Sequence, residues 1–488
     1  MKWHVSKKQI EIMSISSRGS IRDAMQAIDR GALGTALLEE ITTKEFIGLV
    51  TDGDIRRALL SGYGLESPVL DIPRPQSKTA HVSMSAEEIT ALFSDPVRVL
   101  PILDDEGCVC DIAIFDKRVR LPVAEPQLGT KELAYVMECV LTGWVSSAGQ
   151  FVSKFEEMLA KSCNSQYGIA TSSGTTALHL ALLALGIGPG EEVIVPSLTF
   201  IATANAVTYT GAKPIFVDSE PTTWNLDPIL VEKAITARTK AIIPVHLYGH
   251  PADMEPILEI AHRHNLRLVE DAAEAQGATY KGLPVGGLGD IGTFSFFGNK
   301  TITTGEGGMI VTNDSDLANK MRILRDHGMS PDKRYWHPVL GYNYRMTNIQ
   351  AALGVAQMEK IETIIAAKRR IASYYTTHLG DIPGLQLPRE ATWAKNVYWL
   401  YSILVDESKF GLSRDELMDH LKQQGIDTRP LFPPVHTQPI YQSNRSLPVA
   451  EFLSENGLSL PSSVNLTESD LDRTITAIKK AQKQILDT

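Results

Sequence analysis

The stretch Ala241–Asp271, AIIPVHLYGHPADMEPILEIAHRHNLRLVED, decides the fold. AIIPVHLYG (Ala241–Gly249) is an apolar, β-branched run, DMEPILEIAHRHN (Asp253–Asn265) repeats apolar residues at helical spacing, and LRLVED (Leu266–Asp271) is apolar again. Strand, helix and strand in that order make a β-α-β unit with a right-handed crossover. Asp271 therefore ends a parallel strand, where open α/β sheets bind their ligands. An earlier unit runs from YGIATS (Tyr167–Ser172) into SSGTTALHLALLALG, so that Gly174 and Thr175 open a helix. Its free N–H groups suit a phosphate, although a small-residue N-cap explains S-G-T equally well.

Beyond this unit lies SFFGNKTITTGEGG (Ser295–Gly308), in which Lys300 sits among small residues about thirty positions after the acidic run LVEDAAEAQGA (Leu268–Ala278). A lysine that loses solvation in such a loop becomes a reactive amine, and a carboxylate ending a buried strand can hold positive charge on a heteroaromatic nitrogen. Together they point to a pyridoxal 5′-phosphate site.

At 488 residues, 43% hydrophobic and 21% charged, the chain is long enough for two to four domains. A net charge of -10 argues against nucleic acid as a partner. No apolar run is long enough to span a membrane, and MKWHVSKKQIEIMS lacks the apolar core of a signal peptide, so a cytoplasmic protein with no membrane partner is expected. Cys108, Cys110, Cys139 and Cys163 form no C-x-x-C pair and read as buried thiols rather than as a disulfide framework or zinc site. His246 and His250 are four apart but follow a strand, so no metal site is expected.

The composition changes near residue 120. Before it, SIRDAMQAIDRGALGTALLEE with EFIGLVTDGDIRRALL, and then SAEEITALFSDPVRVLPILDDEGCVCDIAIFDKR, each read helix, strand, strand, helix. Neither half can bury its own core, so the two should pack on one another. The expected division is residues 1–118, 119–370 and 371–488.

Residues from about 15 to 118 resemble a CBS domain pair, a regulatory or structural α+β module. The resemblance implies that Thr51 and Asp54 of Thr51-Asp52-Gly53-Asp54 hold the ribose and phosphate of an adenine nucleotide, while turn chemistry explains the same residues. In the second repeat Ala113 stands where the threonine would precede Asp116.

From Pro122 onward the chain resembles the DegT/DnrJ/EryC1/StrS sugar aminotransferases. The motifs that carry this are TGWVSSAGQFVSKFEE, TSSGTTALHLAL, VPSLTFIATANAV, EDAAEAQGA, the Lys300 loop, LRDHG, GYNYRMTNIQAALG and RPLFPPVHTQPIY, in family order. The resemblance implies an α/β fold of the fold-type I pyridoxal phosphate class, with a mostly parallel sheet covered by helices and a smaller C-terminal α/β domain. It also implies that Lys300 bonds the cofactor and shuttles protons, Asp271 pairs with the pyridinium nitrogen, Phe200 stacks on the ring and Glu274 approaches the phenolic oxygen. Gly174, Thr175 and Ser295 would hold the phosphate, and Asn343 would reach it from the neighbouring subunit of a homodimer. Trp144 and His337 suit either the sugar-nucleotide or core packing. His327 suits either the substrate pocket or a structural hydrogen bond, and Arg345 either a donor carboxylate or a local ion pair.

The implied reactants are L-glutamate and a nucleotide-linked 4-keto-6-deoxy sugar. EDAAEAQGATYKG, VHLYGHPADM and RYWHPVLGYNYRMTN look most like the branch that acts on GDP-4-keto-6-deoxymannose, and UDP-linked sugars are the alternative. A sugar dehydratase on this scaffold would carry histidine in place of Lys300, and a non-catalytic sensor would not need every cofactor contact.

Overall fold

The computed structural model describes residues 7–31, 34–84, 88–89, 92–93, 99–114 and 120–486. The chain divides into two compact units, Met1–Arg120 and Leu121–Thr488.

The first unit repeats one topology. Strand β1 (Ser14–Ser16) runs parallel to β2 (Thr35–Glu39), which is antiparallel to β3 (Phe46–Thr51). Likewise β4 (Ala80–His81) is parallel to β5 (Val99–Leu103), which is antiparallel to β6 (Val109–Ile114). Both middle strands shift register at their last pair, between Leu38 and Glu39 and between Ile102 and Leu103. Leu37 and Ile112, one from each repeat, are buried together with Ile10 and Met13, while Leu38 turns to a separate core with Ile21 and Ile55. Alternation along a strand thus lets each half seal the other.

Thr51 and Asp54 close a capping box on helix Asp52–Leu60. The Thr51 hydroxyl accepts the Asp54 N–H at 3.2 Å, and Asp54 Oδ2 accepts the Thr51 N–H at 3.0 Å and its hydroxyl at 2.7 Å. Arg57 adds an ion pair at 2.6 Å. Ala113 is buried in β6, and Asp116 lies outside the described residues. Of the cysteines expected to be buried, Cys139 and Cys163 are, whereas Cys110 on β6 is exposed and Cys108 half-buried, because both belong to the outer hairpin strand and its turn.

The second unit is built on seven strands: β7 (Tyr167–Thr171), β8 (Glu192–Pro196), β9 (Lys213–Val217), β10 (Thr239–Ile242), β11 (Arg267–Asp271), and, after the short ribbon β12 (Thr279–Tyr280) and β13 (Leu283–Pro284), β14 (Ile291–Ser295) and β15 (Gly308–Thr312). Their order is β7-β15-β14-β11-β10-β8-β9, with β15 alone antiparallel to its neighbours. One face buries Phe155, Phe294 and Met309, the other Leu178, Ile291 and Ile310. Helix Met254–Arg263 joins β10 to β11 as its periodicity requires.

The apolar run Ala241–Gly249 is only partly strand. Pro244 has no N–H for the ladder, and beyond it the chain turns through Tyr248, whose φ of 51° is left-handed.

The C-terminal lobe holds β16 (Leu385–Gln386), β17 (Ala394–Lys395), β18 (Tyr401–Val405), β19 (Arg429–Pro430) and β20 (Gly457–Leu460), of which β16-β18-β20-β19 form one antiparallel sheet and β17 joins β12. Helix Ile361–Leu379 serves both lobes, since Ile364 and Ile365 join the large core and Ile371, Tyr375 and Leu379 the small one. Leu121 also packs in the small core: its N–H donates to Gly425 O and its carbonyl accepts the Asp427 N–H, each at 2.8 Å. The C-terminal lobe is therefore not one contiguous segment. Among the described residues no helix is long and apolar enough to cross a membrane.

Candidate active site

The carboxyl ends of the parallel strands surround a cavity of about 440 Å³ lined by Gly174, Thr175, Phe200, Asp271, Glu274, Ser295 and Lys300. Its floor is the start of helix Gly174–Ala184, capped by Ser173, whose hydroxyl accepts the Thr176 N–H at 3.2 Å. The remaining first-turn N–H groups make this end electropositive. Ser295 ends β14 directly beside it. A Cβ at Gly174 would lie 2.7 Å from Ser295 Cβ, so only glycine lets the two meet.

Asp271 is almost fully buried at the end of β11. Its Oδ2 accepts the Thr203 hydroxyl at 2.7 Å and its Oδ1 the Ala273 N–H at 3.2 Å. Burial raises its pKa, against the pull of these bonds and of Lys300. The preceding carboxylate, Glu270, points to the opposite face and accepts His246 Nε2 at 3.0 Å and the N–H groups of Gly286, Leu288 and Gly289 at 2.7 Å. His246 Nδ1 accepts the Ala252 N–H at 3.0 Å, and His250 is engaged at both nitrogens by Pro251 O and the Ala391 N–H. Both histidines brace the backbone.

Lys300 Nζ stands 3.4 Å from Glu274 Oε1 and 3.8 Å from the centre of the Trp399 ring. The indole N–H in turn donates to Asn299 O at 2.7 Å, tying the ring to the loop that carries the lysine. Glu274 Oε2 accepts the Tyr248 N–H at 2.7 Å, and burial raises its pKa while Lys300 opposes the rise. Tyr248 stacks on Phe432 at 5.3 Å and on Trp399 at 6.1 Å, and Phe200 leans on Phe432 at 5.9 Å.

An electropositive cradle that a Cβ would fill, a buried carboxylate, an amine and a ring-sized gap fit a phosphorylated pyridine aldehyde. Lys300, Asp271, Glu274, Phe200, Ser295, Gly174 and Thr175, all singled out from sequence, meet in this one cavity.

The other candidates do not line it. Asn343 is exposed on the strand-like segment that bridges to Asp326, and Arg345 forms an ion pair with Asp326. His327 and His337 are exposed, and His337 Nδ1 donates to His327 O at 2.9 Å. Trp144 is 58% exposed beside a different cavity, with Glu138 and Gln150. Sequence reasoning missed Thr203, Tyr248, Trp399, Arg429 and Phe432. Thr203, Arg429 and Phe432 lie within motifs quoted above, but nothing in the spacing says which side chains turn inward.

The fold and cavity define a fold-type I, pyridoxal phosphate-dependent aminotransferase. The chain belongs to the DegT/DnrJ/EryC1/StrS aminotransferase family, whose model matches residues 126–479. It is 52% identical over 362 residues to a GDP-perosamine synthase of Caulobacter vibrioides, covering 74% of this chain and 97% of that one. A GDP-perosamine synthase of Escherichia coli O157:H7 is 49% identical over 352 residues, covering 72% and 95%. Among solved structures, S. venezuelae DesV superimposes with a TM-score of 0.68 at 39% identity, covering 72% of this chain and 94% of that one.

The raised pKa of Asp271 has a stability consequence. Its ionised form costs folding free energy that is absent below the unfolded value of 3.8 and complete above the folded value. Asp271→Asn keeps an acceptor for Thr203 and removes the charge, at the loss of the acceptor for the Ala273 N–H. Calorimetry of the cofactor-free protein is expected to show the Tm of the variant gaining on that of wild type as the pH rises above 3.8; a Tm difference independent of pH would reject the buried charge as its cause.

Proposed function

We propose that this enzyme transfers an amino group from L-glutamate to C4 of a nucleotide-linked 4-keto-6-deoxy sugar, GDP-4-keto-6-deoxymannose, giving GDP-perosamine. The observation that carries the reading is the Lys300 amine held between Glu274 and Trp399 in the cavity that also contains Asp271 and the helix-end cradle. The perosamine synthase relatives support the choice of sugar.

Pyridoxal phosphate, when bound, supplies an aldehyde for amine exchange and a sink for the electron pair left when a Cα–H proton departs. Ser295 and the Gly174–Thr175 N–H groups would hold the phosphate, and Phe200 would offer its ring as an apolar wall. Asp271, oriented by Thr203, would keep a proton on the ring nitrogen. Lys300 would offer its amine to the aldehyde and would serve as the base that takes the proton leaving the donor's Cα and delivers it to the former aldehyde carbon. Glu274 steadies that amine while the Tyr248 N–H fixes its far oxygen. Glutamate leaves as 2-oxoglutarate before the keto sugar binds, so the two reactants use the same residues in turn.

Incubation with L-glutamate and a panel of GDP- and UDP-linked 4-keto sugars is expected to release 2-oxoglutarate fastest with GDP-4-keto-6-deoxymannose; preference for a UDP sugar would reassign the substrate. Lys300→Ala should remain folded yet show no multiple turnover, and borohydride should fix cofactor mass to Lys300 in wild type only.

The site is completed by a second copy in this reading, with Asn343 of each chain reaching its neighbour's phosphate. Asn343 lies outside its own cavity, and Leu133, Val140 and Leu141 are exposed on helix Thr130–Thr142, an apolar face suited to a homodimer. Co-expressed Lys300→Ala and Asn343→Ala chains are expected to exceed either parent in activity, because some mixed dimers hold one site with neither defect. No recovery in verified mixed dimers would reject the composite site.

Residues 1–118 are assigned as a CBS pair that binds one adenine nucleotide through Thr51 and Asp54, a reading supported by the duplicated sheets. Calorimetric titration with AMP and ATP should give a stoichiometry of about one per chain, lost in Thr51→Ala/Asp54→Ala. Absence of heat would leave the unit a structural element.

A further inference from the structure

Lys368 is a lysine buried without a carboxylate. It sits on helix Ile361–Leu379, is 4% exposed, and makes no ion pair among the described residues. Its Nζ donates to Trp399 O at 3.0 Å and to Ser462 O at 3.1 Å. Burial alone pulls its pKa from 10.5 down to about 8. Two carbonyls are what a neutral amine can satisfy with its two N–H bonds, so the site tolerates loss of the charge while keeping the contacts.

The residues it grips lead directly to the chemistry. Trp399 presents its ring to Lys300 at 3.8 Å and its indole N–H to Asn299 O at 2.7 Å. Ser462 holds the same strand again, since its hydroxyl accepts the Tyr401 N–H at 2.9 Å. The neighbouring Arg369 fastens the segment from the other side, donating to Asn396 O at 2.6 Å and pairing with Glu390 at 2.6 Å. A long aliphatic stem ending in a polar group, buried at a carbonyl-lined point, is an expensive way to pack a core. An apolar residue would fill the volume, but it would leave two carbonyls unbonded and the Trp399 backbone unanchored.

We propose that Lys368 is a positioning residue for the transamination: by clamping the carbonyls of Trp399 and Ser462 together it fixes the indole against the Lys300 amine and the Asn299 turn. The proposal rests on Lys300 being the reactive amine, which the borohydride experiment decides independently.

The test compares Lys368→Met, Trp399→Leu and the double variant in the full chain. Two quantities are read: the rate at which added pyridoxal phosphate loads the apoprotein, followed as growth of the visible band, and kcat against KM for L-glutamate. Lys368→Met is expected to slow loading and lower kcat by about tenfold, with KM changed less than about twofold. In the Trp399→Leu background the same change should have no further effect, because its route to Lys300 is already gone. Lys368→Arg, which retains donors for both carbonyls, should recover much of the loss, and Lys368→Gln should fall between. A Lys368→Met protein that melts earlier but loads and turns over like wild type would overturn the proposal, as would penalties that multiply independently in the double variant. Failure of both Lys368→Met and Lys368→Gln to fold would do the same, since the residue would then be a determinant of the core.

Discussion

Two carboxylates in succession at the end of β11 are sent to opposite faces of the sheet, and the rest of the site depends on that parting. Glu270 turns into the scaffold, where three backbone N–H groups and His246 satisfy it with hydrogen bonds. Asp271 turns into the cavity with only the Thr203 hydroxyl and one N–H. The first stabilises the loop that leads into β14, and β14 delivers Ser295 and the Lys300 loop. The second is left buried with few hydrogen bonds, and burial raises its pKa.

The active site joins two cores. The large lobe contributes Asp271, Ser295 and Lys300 from the sheet, while Trp399, Arg429 and Phe432 come from the C-terminal region. Close approach at Gly249 makes this junction: its φ is 101°, and a Cβ there would lie 2.8 Å from the Trp399 N and 2.9 Å from the Tyr398 N. Tyr248, forced into the left-handed region beside it, uses its N–H on Glu274 and its hydroxyl on the Phe432 N–H. Strain at this corner holds both the acid partner of Lys300 and the aromatic wall.

The amino-terminal unit follows a different economy. Each repeat has only a three-stranded sheet, so its stability comes from pairing with its twin. The residues that would greet a nucleotide, Thr51 and Asp54, already close a helix cap, so ligand binding there would build on a preorganised turn.

The sequence by itself determined the β-α-β order, the duplicated amino-terminal unit, and the group of Gly174, Asp271, Glu274, Ser295 and Lys300. The order, the repeat and the places of Gly174, Asp271 and Lys300 follow from periodicity, strand ends and local context, whereas Glu274 and Ser295 rest on the resemblance carried by the ordered motifs. Only the tertiary structure decided that Ala241–Gly249 breaks at Pro244, that Leu121 belongs with the C-terminal lobe, and that Trp399 and Lys368 stand behind Lys300. It also placed Arg345 on Asp326 and kept Asn343, Trp144, His327 and His337 out of the chain's own cavity. The reason is physical: strand alternation and helical spacing show which face a side chain shares with its neighbours, whereas contacts between residues about a hundred or more positions apart, such as Trp399 with Asn299 or Tyr248 with Phe432, depend on how separate cores pack.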